Sequence, residues 1–154
     1  MRAKYKKLTT EQLDAVLSRF EPLKTLPMPP KGWVRAVRDA LGMSARQLAK
    51  RLGVKQQRIA RIEQDEKQGK VTLNTLQNAA EAMDCVFVYG LVPRETLQRT
   101  IEEQAKRIAL KRMARSNQMM RLEKQELSDS QKQKALYEVV EEILNTMPRT
   151  LWDE

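Results

Sequence analysis

The stretch Ser44-Ala-Arg-Gln-Leu-Ala-Lys-Arg-Leu-Gly-Val-Lys-Gln-Gln-Arg-Ile-Ala-Arg-Ile-Glu63 decides the fold. Ser44 and Gln47 stand three residues apart, the spacing of a capping box, and they predict a helix that starts at once. Leu48, Ala49 and Leu52 then fall on one face of that helix, which becomes its inner side. Gly53 interrupts the pattern with the residue that takes positive φ at least cost, and Val54 is expected to plug the turn. From Lys55 to Glu66 the helical period resumes. Ile59 and Ile62 turn inward, leaving Gln56, Gln57, Arg58 and Arg61 elsewhere. A capped helix, a glycine turn and a second helix follow one another within about two dozen residues.

The flanks extend the helical texture. After Gly32, Trp33, Val34, Val37 and Leu41 form an apolar stripe that Gly42 ends. Beyond the polar loop Lys67-Gln-Gly-Lys70, Thr72 is placed to cap a helix carrying Leu73, Leu76, Ala79, Ala80 and Met83. Upstream, Thr9-Thr-Glu-Gln12 is a further capping box, with Leu13, Val16, Leu17 and Phe20 at helical spacing. That helix is expected to stop before Pro22, and Leu26-Pro-Met-Pro-Pro30 reads as an extended linker. Downstream, Glu95 to Lys124 reads as a long basic helix with Leu97, Ile101, Ala105 and Ile108 inward. Ser128-Asp-Ser-Gln131 opens a last helix whose stripe is Leu136, Val139, Val140, Ile143, Leu144 and Met147, ended by Pro148.

One segment departs from this pattern. Cys85-Val-Phe-Val-Tyr-Gly-Leu-Val92 is rich in β-branched and aromatic residues and predicts a strand. A lone strand leaves its backbone groups unpaired. The simplest partner is the same strand of a second subunit, which would place Val86, Phe87, Val88, Tyr89 and Leu91 in a dimer interface. The alternative is an extended tail packed on its own domain. The expected fold is mainly α, with four parts: a helix and proline-rich linker over 1–31, a helix-turn-helix domain over 32–84, the strand over 85–93 and a helical extension over 94–154.

Composition bounds the chemistry. There are 29 Lys and Arg against 20 Asp and Glu, a formal net charge of +9, and no histidine. The surplus favours a polyanionic partner. It belongs to the first four-fifths of the chain, because residues 125–154 hold three basic and seven acidic side chains. Without histidine the commonest general base and metal ligand are missing, and Cys85 alone can form neither an internal disulfide nor a thiolate metal site. The single cysteine suits a reducing compartment and is expected to act as a small buried hydrophobe. Carboxylate pairs such as Glu102-Glu103 and Glu141-Glu142 diverge around their helices. No Gly-rich phosphate loop, nucleophile elbow or metal-ligand spacing is present, so neither catalysis nor a cofactor is expected. No signal-peptide core or membrane-length apolar run occurs, and a cytoplasmic location is expected by default.

In a helix-turn-helix the second helix enters the major groove and the first crosses the backbone. Reading base edges calls for paired donors and acceptors or a guanidinium fork near the start of that helix. Gln56, Gln57, Arg58 and Arg61 are the candidate base readers, weighed against an ordinary solvated helix face. Arg46, Lys50, Arg51, Lys55, Lys67 and Lys70 suit phosphate contacts, which position without specifying. Glu63 is expected to be structural, satisfying a backbone or arginine group, and Trp33 and Trp152 to be core or interface anchors rather than stacking platforms.

The run Gln47 to Glu63 resembles the lambdoid-repressor (Xre-like) family in its Leu-Ala pair, glycine turn, inward isoleucine and closing glutamate. The resemblance spans roughly residues 32–84. It implies a lambda-repressor-like domain in which Gln56 and Gln57 face bases, while residues from Ser44 to Gln47 touch phosphate or support the readers. Three further segments, Pro30-Lys-Gly-Trp-Val-Arg-Ala-Val-Arg-Asp-Ala-Leu-Gly-Met43, Val88-Tyr-Gly-Leu-Val-Pro93 and Pro148-Arg-Thr-Leu-Trp-Asp153, resemble the mobile mystery protein A family, encoded beside a Fic-domain protein in a toxin–antitoxin-like arrangement. That resemblance implies an operon repressor or antitoxin. Two functions follow: a dimeric repressor of a palindromic operator, and an interaction module that neutralises a Fic-type toxin by contact. Fic inhibitors carry Ser or Thr, three residues, then Glu followed by Gly or Asn. Only Glu154 has such a residue four positions earlier, Thr150, and nothing follows it here. Plugging of a toxin active site by that route is not expected.

Overall fold

The computed structural model describes residues 2–122 and 128–153. It is mainly helical, and the chain divides into two compact units: Pro22–Gly90, and a unit built from Met1–Glu21 together with Leu91–Glu154.

In the first unit, α2 (Trp33–Ala40), α3 (Ala45–Leu52), α4 (Gln56–Lys67) and α5 (Leu73–Ala82) follow α1 (Arg2–Leu17), which belongs to the other unit. Val34, Leu48, Ala49, Ile59, Ile62, Ala79 and Met83 form the core between these four helices. The capping box at the head of α3 is complete. The Ser44 hydroxyl accepts from the Gln47 N–H at 3.2 Å, and the Gln47 side-chain oxygen accepts from the Ser44 N–H at 2.7 Å. Gly53 ends the helix at φ 67°, ψ 30°, where a side chain would be strained. There the Val54 N–H reaches the Ala49 carbonyl at 3.0 Å and the Gly53 N–H reaches Lys50 at 3.3 Å, a Schellman closure. Val54 therefore serves through its backbone. Its side chain is 40% exposed rather than plugged into the core, a correction to the sequence expectation.

The stripe expected on α2 is only partly inward. Val34 is buried and Val37 half-buried, but Trp33 is 44% exposed and Leu41 is exposed as well. An eight-residue helix presents few positions to one side, and Arg38, one turn after Val34, occupies the inner place that the stripe gave to Leu41. The start of α2 shows a second departure. Gly32 carries no capping side chain, and the orphan N–H groups of Trp33 and Val34 instead donate to the two carboxylate oxygens of Glu66, each at 3.0 Å. A Cβ on Gly32 would stand 2.7 Å from Glu66 Oε2, and its φ of +82° also favours glycine.

After α5, capped by the Thr72 hydroxyl on the Thr75 N–H, the Cys85 N–H returns to the Ala80 carbonyl. Beyond it no strand forms among the described residues, because a single chain offers this segment no ladder partner. Phe87 stacks on Tyr89 at 5.9 Å between ring centroids, while Val86, Val88, Tyr89 and Leu91 lie exposed. Cys85 is half-buried, with its thiol 3.5 Å from the Met83 carbonyl.

In the second unit, α1 packs with α6 (Leu97–Leu122) and α7 (Asp129–Thr146). α1 starts well before its predicted cap. The hydroxyls of Thr9 and Thr10 bond back to the carbonyls of Tyr5 and Lys6, each at 2.9 Å, as threonines do inside a helix. Past Leu17 the chain tightens into a 3-10 helix, Ser18–Thr25, through Pro22. Asp14 of α1 caps α6: its carboxylate accepts from the Leu97 N–H at 2.7 Å and from the Gln98 N–H at 3.1 Å. Ala105, Ala109, Ile143 and Leu151 make the core of this unit. The predicted box on α7 forms, with the Ser128 hydroxyl accepting from the Gln131 N–H at 3.3 Å. Glu123, Lys124 and Glu154 lie outside the described residues. Leu151, not its neighbour Trp152, is the buried anchor near the end of the chain, and its carbonyl accepts from the buried Gln104 amide at 2.8 Å. Among the described residues no helix is long and apolar enough to cross a membrane.

Removing the carboxylate of Glu66 leaves two N–H groups at the head of α2 without partners, at about 1–3 kcal/mol each when fully buried. Glu66→Ala is expected to abolish the hydrogen-exchange protection of the Trp33 and Val34 amides while leaving α6 amides unchanged. Retained protection at both amides would contradict the cap.

Candidate nucleic-acid interface

The second helix of the motif is divided by its own period. Successive side chains advance by about 100° around an α-helix. Ile59, Ile62, Glu63 and Glu66 cluster on one side of α4 and are all buried. The opposite side carries Gln57, Arg61 and Gln64, separated by four and three residues and all exposed. Gln56 and Arg58 are exposed too, but each is turned about 100° to one side of Gln57. The four predicted base readers are therefore all on the surface without sharing one line. Gln64 was not singled out from the sequence. Its signal was the seven-residue interval from Gln57, nearly two full turns, on the same face.

Two carboxylates sit on the buried side of this helix, and each has a defined partner. Glu63 Oε1 accepts from Arg38 Nε at 2.7 Å, with both side chains about nine-tenths buried. The Arg38 Nη1 also donates to the Met43 carbonyl at 2.8 Å and lies 3.1 Å from Asp39. The hydrogen bond donated to Glu63 pushes the Arg38 pKa above the ordinary arginine value against the opposing effect of burial, and the Glu63 and Asp39 charges add to it. Arg38 is thus a fixed internal cation. Glu63 has the structural role expected of it, and Arg38 and Glu66 are the partners that local spacing could not identify.

Turning these acids inward leaves the outer surface cationic. The unit Pro22–Gly90 holds twelve Lys and Arg against six Asp and Glu, and two of those six are the buried Glu63 and Glu66. Ser44, Arg46, Gln47, Lys50, Arg51, Lys55, Lys67 and Lys70 are all exposed. They are not equally available. Ser44 and Gln47 are engaged in the capping box, although the Gln47 NH2 is not used there. Arg51 Nη1 donates to the Ala82 carbonyl at the end of α5 at 3.0 Å. Arg61 Nε stands 3.8 Å from Asp65 on its own helix, a loose, exposed pair. Lys55 occupies the N-cap of α4 without a side-chain cap bond, so the positive end of the helix dipole is left open at the solvent.

The family described as Helix-turn-helix matches residues 34–87, from the first turn of α2 to the segment after α5. Residues 34–87 are a helix-turn-helix domain of the Xre, lambda-repressor-like kind. Such a domain is a DNA-binding module of transcriptional regulators, and in this one α3 and α4 are the two helices of the motif. No curated protein and no solved structure matches the chain.

Breaking one side of the Arg38–Glu63 pair strands a buried charge, which costs about 3–5 kcal/mol. Glu63→Ala is expected to lower the unfolding free energy of the helix-turn-helix domain by about 3 kcal/mol. The double change Arg38→Met with Glu63→Leu should recover much of that loss in urea unfolding.

Proposed function

We propose that the chain is a sequence-specific transcriptional repressor that reads a palindromic operator as a homodimer. The observation that carries this reading is the division of α4: Glu63 and Glu66 are buried and paired, and its outward face is Gln57, Arg61 and Gln64. Glutamine can pair bidentately with adenine, and arginine with guanine. Gln57 lies at the start of the helix, where base contacts concentrate, and Gln56 and Arg58 flank it. Arg46, Lys50, Lys55, Lys67 and Lys70 then hold the phosphates, with Ser44 and the free Gln47 amide at the head of α3. Arg51 is the weakest of this set, because its guanidinium already serves α5.

The dimer is assigned to residues 85–92. Val86, Val88, Tyr89 and Leu91 are exposed, and among the described residues the backbone that carries them forms no ladder. A second copy would satisfy both deficits at once and place two recognition helices on half-sites about one helical turn apart.

The resemblance to the mobile mystery protein A family supports a finer role: antitoxin and autoregulator of an operon shared with a Fic-domain toxin. Direct neutralisation of the toxin is a second reading. It is favoured by the groove of about 550 Å³ between α6 and α7, where the exposed ring of Tyr137 joins Leu136 and Val140 beneath a charged rim. Co-purification with the neighbouring Fic-domain protein tests it, and absence of a complex removes it.

Replacing Gln57 with Ala is expected to relax discrimination by about 1–3 kcal/mol at one base pair per half-site. An unchanged ratio of operator to scrambled-duplex affinity would overturn the assignment. Val88→Asp with Tyr89→Asp is expected to shift the chain from dimer to monomer in sedimentation equilibrium. A dimer of undiminished strength would exclude this interface.

A further inference from the structure

α6 is charged on two sides in two different ways. On one side Arg99 lies 3.4 Å from Glu95 and 3.3 Å from Glu103, one turn away in each direction, so its cation is neutralised locally. Glu102 and Lys106 share that side, along the groove toward α7. The other side carries Arg107, Lys111, Arg112 and Arg115. All four are exposed, and among the described residues none of them has an ion pair or a side-chain hydrogen bond. Four cations on one face repel one another. A helix built only for solubility would intersperse them with acids, as its other side does.

These four side chains also line a cleft of about 220 Å³, closed on its far side by Thr150 and Asp153 after α7. Ile108 is its one apolar lining residue, and Gln104 is committed to the Leu151 carbonyl. No aromatic ring borders it, so it does not suit stacked, single-stranded bases. It offers too little apolar surface for a partner helix. Arg107, Lys111 and Arg115 recur every fourth residue, about 6 Å apart along the helix axis. Three of the four cations are arginines, whose planar fork matches phosphate oxygens in pairs. An array of unpaired cations along a line fits a row of phosphates better than a single anion.

We propose that this face of α6 is a second, sequence-independent site for the phosphate backbone of duplex DNA, separate from the base-reading surface of α4. The choice of duplex DNA as ligand rests on the DNA-binding reading given above. Its role is to add salt-sensitive affinity without adding base preference.

The test uses the full chain and a mixed-sequence duplex of about three helical turns. Affinity is followed by fluorescence anisotropy across a salt series. Each phosphate contact contributes about 0.9 to the slope of log affinity against log salt. The triple variant Arg107→Gln, Lys111→Gln, Arg115→Gln is expected to flatten that slope by about 2–3. Glutamine keeps the helix, which circular dichroism verifies. A charge-matched control, Lys7→Gln, Arg19→Gln, Lys134→Gln, should leave the slope within about 0.5 of the parent. Arg107→Lys with Arg115→Lys should retain it too. An unaltered slope in the triple variant, or an equal loss in the control, overturns the proposal. So does loss of polyglutamate binding with duplex binding intact, which would assign the face to an acidic protein. Gln57→Ala changes base discrimination and not this slope, so failure of one reading is distinguishable from failure of the other.

Discussion

Glu63 and Glu66 lie three residues apart on the inner side of α4, and each is bound to α2. One takes the guanidinium of Arg38 and the other takes the two open N–H groups at the head of α2. A buried carboxylate is tolerated only when fully hydrogen-bonded. These two are therefore bound to keep α2 against α4, and α2 in turn fixes which side of α4 faces solvent. The same contacts remove negative charge from the outer surface of α4, the surface proposed to approach DNA. Orientation and electrostatics of the recognition helix are in this way consequences of one pair of acid side chains.

A comparable arrangement holds the other unit, where Asp14 of α1 caps α6 as Glu66 caps α2. The head of α2 has no side-chain cap of its own, whereas α6 has the Thr96 hydroxyl on the Arg99 N–H at 3.0 Å, and both take a carboxylate from a distant part of the chain for their first N–H groups. The favourable interaction of an anion with a helix N-terminus adds to the hydrogen bonds. Each cap does more than end a helix: it fixes where that helix starts relative to the element that supplies the acid.

The helix-turn-helix was legible because its signals are local. The Ser44 box, Gly53 and the spacing of Ile59 and Ile62 each act within a turn or two, and each produced the predicted element. What escaped depends on long range. Arg38 and Glu63 are separated by 25 residues, and no periodicity announces that a basic and an acidic residue will be buried together. Glu66 has no local signal of its role, since the N–H groups it accepts from lie 33 and 32 residues away. Trp33 and Val54, apolar by composition, stand in the open because α2 is short and the Gly53 turn needs only the Val54 backbone. In α4 the four candidate readers include Gln57 and Arg61 of the outward row, and Gln64 falls outside them because base contacts are expected near the start of the helix.

The cap on α6 has a temporal consequence. Asp14 and Leu97 are 83 residues apart in sequence, and the whole helix-turn-helix unit lies between them. At a synthesis rate of about 5–20 residues per second, α1 emerges about 4–17 seconds before its partner helix begins to be made. During that interval α2 to α5, whose partners lie close in sequence, can fold without waiting for α6. α1 meanwhile carries an uncommitted carboxylate and an exposed apolar stripe. The residues of Pro22–Gly90 are thus all synthesised before the cap between Asp14 and Leu97 can form, an order set by the position of that unit in the sequence.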